Sequence, residues 1–241
     1  MVRWLFACVA IAVCFGCLTA STAGAAPQGG RSTCPAVLAS HLEQTGGGEQ
    51  LVTVIAPRSS SSTASVETFE RIAGCWVRVG GPYPALVGVH GLSAHHHEGD
   101  GTTPEGLFGF GPTMYGTAPN PGLHYPYVHV VCGDWWDEDS ASPQYNLFVA
   151  VRCGVNPPFN NGSSEALWTE SNAYPSLAVI GYNLARTPGA GSAIFLHAST
   201  GKPTTGCVSM ARGALDAVLD WLDPSQHAHI AIGTLAAING Y

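Results

Sequence analysis

A histidine and a cysteine ten positions apart have the residue types and spacing best suited to chemistry. His197 ends the apolar run 193–196, which is typical of a buried strand, and Cys207 follows a loop rich in Gly, Pro and Thr. A loop of this length lets the chain turn back until the imidazole and the thiol come within hydrogen-bond reach. Because a neutral thiol is a weak nucleophile whose proton a neighbouring imidazole can take, the pair predicts covalent catalysis by Cys207 with His197 as base.

The backbone beside the cysteine offers a second catalytic element. The N–H groups at Thr205, Gly206 and Cys207 are placed to stabilise an oxyanion that forms during attack on a carbonyl. A side chain at Gly206 would obstruct the substrate or force a different backbone geometry, so glycine suits this position.

The cysteine count bears on the same residue. Three of the eight cysteines lie in the N-terminal segment, and an odd set of five remains: Cys34, Cys75, Cys132, Cys153 and Cys207. Outside the cytoplasm paired cysteines oxidise, and position favours the pairs Cys34–Cys75 and Cys132–Cys153, each closing a modest loop. The thiol that remains is Cys207. On the count alone, an inert buried thiol and a reactive one are equally compatible with the sequence.

The N-terminus predicts export. Arg3 precedes a short apolar stretch, and Ala23 and Ala25 form an Ala-x-Ala ending. This pattern is typical of a secretory signal peptide over residues 1–25, and the apolar stretch is shorter than the roughly 20 residues of a membrane span. Lipidation at Cys17 stays open, although Phe15 and Cys14 suit that signal poorly. We therefore expect a soluble, secreted or envelope protein with no stable membrane insertion after cleavage.

Composition predicts the fold class and excludes one class of partner. With 30 Gly and 17 Pro, the chain favours many short strands and turns over long helices. We expect a mainly β domain over residues 50–241, an antiparallel sandwich or partial barrel, preceded by an extension over residues 26–49 with a short helix. The net charge of −7 and the lack of a Lys/Arg cluster argue against a nucleic-acid partner.

Hydrophobic patterns place the individual elements. Helices are expected over Arg212–Leu222, where apolar residues recur at helical spacing, and over Pro35–Glu43 and Ser164–Glu170. Strands are expected at Leu51–Ala56, Cys75–Val79, Ala85–His90, Tyr127–Val131, Asn146–Val151, Leu177–Tyr182, Ala193–His197 and His229–Ile232.

The run His95-His96-His97 is a weaker candidate for a metal site. Alternate residues of a strand would place His95 and His97 on one face, and zinc sites use histidine freely. No third ligand follows at a known zinc spacing, and Glu98-Gly99-Asp100-Gly101 is typical of a solvated turn. No metal is therefore expected.

Three segments together resemble one protein family. His197, a short loop and then Thr204-Thr205-Gly206-Cys207 are similar to the signature of the L,D-transpeptidase (YkuD-type) catalytic domain. The segment 98–108, EGDGTTPEGLF, resembles the family's Gly-Asp-Gly-x-Thr-Pro-x-Gly-x-Phe element. The segment 135–146, WWDEDSASPQYN, is similar to one found in exported actinobacterial members. The segments fall in the family's order, and the resemblance covers roughly residues 50 to 234.

The chain departs from the family pattern at three positions. Thr205 stands where many members carry a second histidine, which leaves His197 as the base. Ala198 replaces a usual Gly or Ser, so a backbone carbonyl, or more weakly Ser199, would orient the imidazole. Ser209 stands where Arg or Asn is common and is the candidate for a substrate contact.

The resemblance implies a peptidoglycan L,D-transpeptidase that needs no cofactor. Cys207 would attack the peptide bond after the diaminopimelate residue of a tetrapeptide stem, releasing D-alanine, and an amine of a second stem would attack the thioester to give a 3→3 cross-link. Two alternatives stay open: an L,D-carboxypeptidase in which water attacks the same thioester, and a non-catalytic protein that binds the cell wall.

Overall fold

A computed structural model describes residues 34–240, which form a mainly β fold. The predicted signal peptide and residues 26–33 of the predicted extension lie outside the described residues. The strands are β1 Gln50–Ala56, β2 Thr63–Ile72, β3 Cys75–Leu86, β4 Leu92–Ser93, β5 Thr103–Pro104, β6 Gly106–Gly116, β7 Tyr127–His129, β8 Asp134–Asp137, β9 Leu147–Ala150, β10 Glu165–Ala166, β11 Leu177–Ile180, β12 Phe195–Ala198, β13 Val208–Met210 and β14 His229–Thr234. The helices are α1 Arg212–Trp221, α2 Leu235–Ile238 and the short 3₁₀ helices Leu38–His41, Leu167–Thr169 and Pro224–Gln226.

Nine strands form one large sheet in the order β11-β12-β13-β3-β2-β1-β14-β6-β7. A further pairing of β11 with β6 closes eight of them into a barrel-like ring. The mainly β prediction is confirmed. The antiparallel expectation is wrong, because β1–β14, β12–β13 and β6–β7 are parallel pairs. Parallel neighbours need crossover connections, and the segment 199–207 that links β12 to β13 is one of them.

The centre of the large sheet is apolar on both faces. Strand β1 is buried along almost its whole length, and Leu51, Val52 and Val54 are inaccessible to solvent. Helix α1, which confirms the predicted helix at Arg212, covers one side of the core with Leu215 and Leu219. Such double-sided burial explains why apolar runs here are continuous rather than alternating.

A small sheet in the order β10-β8-β9 packs beside this core. Its central strand carries Trp135 and Trp136. Trp136 lies edge-on to Phe195 of β12, with ring centroids 5.0 Å apart, and Trp135 packs on Trp168. Trp136 therefore joins the small sheet to the large one, while Trp135 packs on the 3₁₀ turn that follows β10.

Both predicted disulfides are present. Cys34 is bonded to Cys75 at the start of β3, and Cys132 is bonded to Cys153. The second bond joins the chain just before β8 to the chain just after β9, so it ties the open end of this hairpin. Disulfides of this kind are compatible with a secreted protein.

Three local predictions differ from the structure. The strand expected at Cys75–Val79 is present but continues to Leu86 as β3, in which the register with β2 shifts around Gly81, and the strand expected at Ala85–His90 is wrong beyond Leu86. A Cβ at Gly81, whose φ is +82°, would lie 2.4 Å from the carbonyl oxygen of Val66.

The helix expected over 164–170 is wrong because Glu165 and Ala166 pair with Trp136 and Trp135 as strand β10, leaving only a 3₁₀ turn after them. The helix expected over 35–43 is reduced to the 3₁₀ turn Leu38–His41. None of the helices within residues 34–240 has the length and apolar character needed to cross a membrane.

Candidate active site

Cys207 lies at the end of the crossover segment, immediately before β13. The crossover is held against the chain that follows β3: the N–H of Val89 donates to the Thr204 carbonyl at 2.8 Å, and the N–H of Thr204 donates to the Val87 carbonyl at 3.0 Å. These bonds fix the position at which the chain turns towards Cys207.

The carbonyl of Cys207 is held by two threonines. Thr204 Oγ1 donates to it at 2.6 Å and Thr103 Oγ1 donates at 3.2 Å. Thr103 belongs to the EGDGTTPEGLF segment, so the two motifs that stand 104 residues apart in sequence meet at the candidate nucleophile. The N–H of Gly206 donates to Thr204 Oγ1 at 3.3 Å, so an oxyanion would compete with this hydroxyl for that donor.

The thiol of Cys207 is buried and is the free cysteine among the described residues. It donates to the carbonyl of Ala193 at 3.2 Å and accepts from the N–H of Phe195 at 3.3 Å. Burial, and to a smaller extent the charge of Glu165, raises the pKa of the thiol well above its ordinary value. The resting sulfur therefore carries its proton.

His197 lies on β12, two residues beyond Phe195 and opposite Ser209 of β13. Because alternate residues share a face, the His197 and Cys207 side chains project from the same face of this parallel pair. The imidazole Nδ1 donates to the carbonyl of Ala198 at 2.9 Å, and the ring stands edge-on to Tyr174, with centroids 5.2 Å apart. Burial lowers the pKa of His197, so the imidazole is neutral near pH 7.

A cavity of about 360 Å³ opens beside the thiol. We call it the Cys207 cavity, and its lining residues are His96, Glu98, Gly99, Glu138, Gly162, Ser163, Ser164, Glu165, Tyr174, Ser192, Ala193, Ile194, Thr205, Gly206 and Cys207.

Three carboxyl groups border this cavity, and none of its lining residues is Lys or Arg. Glu98 accepts from Ser192 Oγ at 2.7 Å and from the Tyr145 hydroxyl, and Glu165 accepts from the Tyr174 hydroxyl at 2.7 Å. Burial raises the pKa of Glu165 to about 7. Burial, together with the charges of Glu165 and Glu98, raises the pKa of Glu138 to about 9. A carboxyl behaves in this way when it is desolvated without a cation beside it.

The residues predicted from sequence fall into two groups. Thr205 and Gly206 border the Cys207 cavity with the thiol. Ser199 and Ser209 border a different groove, beside β3 and the start of α1, and the Ser209 hydroxyl is buried without a hydrogen-bond partner in the described structure. The orienting contact of His197 is the backbone carbonyl of Ala198, while Ser199 Oγ accepts from the N–H of Gly201.

Most of the polar residues of the cavity are not predicted by the sequence. His96 belongs to the candidate metal run, the pattern around Glu165 predicts a helix, and nothing in the sequence marks Glu138 or Tyr174. Glu98 lay inside a motif segment, and that was the one available signal. His95 and His97 are exposed whereas His96 is buried, and among residues 34–240 no three His, Cys, Asp or Glu side chains are grouped to hold a metal ion.

Comparisons with known protein families, with characterised proteins and with solved structures gave no match to this chain.

Proposed function

We propose that this protein is an exported cysteine acyltransferase, an L,D-transpeptidase of the YkuD type that cross-links peptidoglycan stems through Cys207. The observation that carries the proposal is the free thiol of Cys207 at the wall of a cavity, held there by contacts from two motif segments. The two disulfides support the extracytoplasmic part of the proposal, since such bonds persist in oxidising compartments.

In the first half-reaction His197 acts as the base. Desolvation favours the neutral form of both groups, so the thiol and the imidazole are both uncharged before substrate binds. The proton must then leave the sulfur as the Cys207 Sγ–carbon bond forms, which is general-base catalysis. The bond from Nδ1 to the Ala198 carbonyl leaves Nε2 as the nitrogen that receives the proton. His197 then passes that proton to the departing amine of D-alanine, and an acyl group remains on Cys207 as a thioester.

The acceptor in the second half-reaction is an amine. Glu138 and Glu165 are desolvated carboxyls without a cationic partner, and an ammonium group in the cavity would supply one. Its charge would lower the pKa of both carboxyls and draw them into an ion pair. Water, the acceptor in hydrolysis, gains no such ion pair. We call Glu138 and Glu165 the acidic wall of the cavity. This acidic wall thus favours transpeptidation over hydrolysis of the thioester.

The test is mass spectrometry of the products formed from a purified disaccharide-tetrapeptide, with Cys207→Ala as control. A cross-linked dimer lighter by one D-alanine, absent with Cys207→Ala, is the expected result. His197→Gln should retain the fold and lose about 10²–10⁴-fold in the rate of D-alanine release. A monomer that has only lost D-alanine would make the protein a carboxypeptidase with the same nucleophile. Binding without any release of D-alanine would contradict enzymatic function and favour a cell-wall binding protein.

A further inference from the structure

His96 is a second buried histidine beside the nucleophile. It is 8% exposed and borders the Cys207 cavity, whereas its neighbours His95 and His97 are exposed. The Nε2–Cε1 edge of its ring faces two glycines. A Cβ at Gly191 would lie 2.5 Å from Nε2, and a Cβ at Gly206 would lie 3.7 Å from Cε1. The Nε2 side of the ring therefore packs closely on the backbone of Gly191, an approach that the lack of a side chain allows, and Cε1 lies next to the segment that carries Cys207.

The opposite nitrogen of the ring is anchored. His96 Nδ1 lies 2.9 Å from Asp100 Oδ1 and 3.1 Å from Thr102 Oγ1. Asp100 also accepts from the N–H and the hydroxyl of Thr102, each at 2.8 Å, and from the N–H of His97 at 3.0 Å. Burial raises the pKa of Asp100, but the bonds from Thr102 and His97 outweigh it and hold this pKa below its ordinary value.

An ionised carboxylate can only accept hydrogen bonds, so Nδ1 of His96 must carry the hydrogen that it shares with Asp100. The lone pair then lies on Nε2, the nitrogen that faces away from Asp100, on a ring that borders the Cys207 cavity. A base held in one tautomer by a carboxylate is the arrangement that activates nucleophiles in covalent catalysis.

The surrounding groups set the charge of His96. Burial lowers its pKa most, Asp100 and Glu98 act in the opposite direction, and His97 lowers it further. The net pKa is below the ordinary value, so the ring is neutral near pH 7. The remaining neighbour is Tyr182, whose ring stands edge-on to His96 with centroids 5.2 Å apart.

We propose that His96, positioned by Asp100, is the base of the second half-reaction and accepts the proton of the amine that attacks the Cys207 thioester. The inference rests on the proposed function and divides the proton transfers between two histidines. His197 serves the thiol and the leaving D-alanine, and His96 serves the acceptor.

The step balances as follows in atoms and charge. The bound ammonium of the acceptor first gives one proton to the Glu138 carboxylate with which it is paired. The neutral amine then attacks the thioester carbonyl, a carbon–nitrogen bond forms, and the carbon–sulfur bond breaks with its electron pair on sulfur. The proton lost by nitrogen goes to Nε2 of His96. It then passes to the thiolate of Cys207, so the thiol and the neutral imidazole are both restored.

The experiment separates the two half-reactions with the purified protein. Acyl-enzyme formation from the disaccharide-tetrapeptide is followed by intact-protein mass, and its transfer to an amine acceptor is timed in a second mix. His96→Gln should form the acyl-enzyme at nearly the wild-type rate but transfer it about 10²-fold more slowly, so that acyl-enzyme accumulates. His95→Gln, from the exposed neighbour in the same run, is the matched control and should behave as wild type.

Two further variants distinguish a base from a merely structural residue. His96→Ala should regain transfer when imidazole is added to the buffer. In Asp100→Asn, the acidic limb of the pH profile of the transfer rate should move to lower pH, because Asp100 raises the pKa of His96. Transfer by His96→Gln within twofold of His95→Gln, or equal loss of both half-reactions without rescue by imidazole, would overturn this inference alone. A wild-type protein that forms no acyl-enzyme would contradict the proposed function itself.

Discussion

The large sheet and the small sheet contribute opposite kinds of residue to the Cys207 cavity. The large sheet holds Cys207 and His197 at the ends of β12 and β13, where the neighbouring Phe195 is inaccessible to solvent. The small sheet and the turn beside it contribute Glu138 and Glu165, which are only partly buried. One side of the cavity is therefore apolar and buried, and the other is acidic and only partly exposed to solvent.

This difference separates two tasks that a transferase needs. An apolar environment keeps the thiol and the imidazole of His197 neutral, so the nucleophile reacts only when a bound substrate allows the proton to move. An acidic wall with residual access to water can adjust its charge to an incoming amine. The side that performs the chemistry and the side that selects the acceptor are thus built on different sheets.

Removing each disulfide in turn is the strongest test of this division. The loops closed by Cys34–Cys75 and Cys132–Cys153 span 41 and 21 residues, so loss of either bond should cost about 3–4 kcal/mol in the free energy of unfolding. Only the second bond ties the small sheet. We expect Cys132→Ser/Cys153→Ser to lose activity well beyond the fraction of protein unfolded, while Cys34→Ser/Cys75→Ser keeps its activity per folded molecule. Urea unfolding and turnover measured on the same samples would decide, and equal activity losses would break the comparison.

The acidic wall should also be visible in the pH dependence of stability. The pKa of Glu138 is about 9 in the folded protein against an ordinary 4.5, so between these values the folded state binds a proton that the unfolded state has lost. Stability must therefore fall as pH rises from 7 to 9, a range chosen because the pKa values of His96 and His197 lie below it. The loss should be about 2 kcal/mol, since one proton is worth about 1.4 kcal/mol per pH unit and Glu138 stays at least half protonated up to its pKa.

Glu138→Gln should flatten this dependence, and the exposed Glu43→Gln should leave it unchanged. Thermal unfolding at several pH values measures both variants. A wild-type melting temperature that stays level from pH 7 to 9 would show that the wall is already ionised, and the contrast between the two sides would then disappear.

The sequence predicted the large sheet better than the small one, and burial explains why. Strands such as β1 and β14 are buried on both faces, so they can be recognised as continuous apolar runs. Helix α1 can be recognised in the same way, because its apolar residues recur at helical spacing. Strand β6 escaped prediction because it is rich in glycine. A Cβ at Gly111 would lie 2.9 Å from the side chain of Val179. Glycine is therefore present here because β11 packs closely on β6, and not because glycine favours strands.

The candidate site was predictable only where its residues are close in sequence. His197, Gly206 and Cys207 lie in one segment, and their types and spacing indicated the chemistry directly. Glu165 reaches the cavity only because β10 pairs with β8, a contact that no local pattern reveals. The same limit applies to His96, whose burial follows from the turn that Asp100 organises.

The smallest expected effect comes from Ser209, and the buried Ser192 provides the contrast. The Ser209 hydroxyl, in the large sheet, has no hydrogen-bond partner in the described structure, so Ser209→Ala removes an unsatisfied group and should be neutral or stabilising by up to about 1 kcal/mol. Ser192 donates to Glu98 at 2.7 Å on the acidic side, so Ser192→Ala should cost about 1.5–3 kcal/mol as a hydrogen bond to a charged group.

Chemical denaturation of the two variants measures the difference, and turnover adds a second readout. Because Ser209 borders a groove separate from the Cys207 cavity, its removal should leave the rate of cross-linking unchanged. A large loss of activity in Ser209→Ala at unchanged stability would mean that substrate extends along β13 into that groove. The large sheet would then take part in selecting substrate, and selection could no longer be assigned to the acidic wall alone.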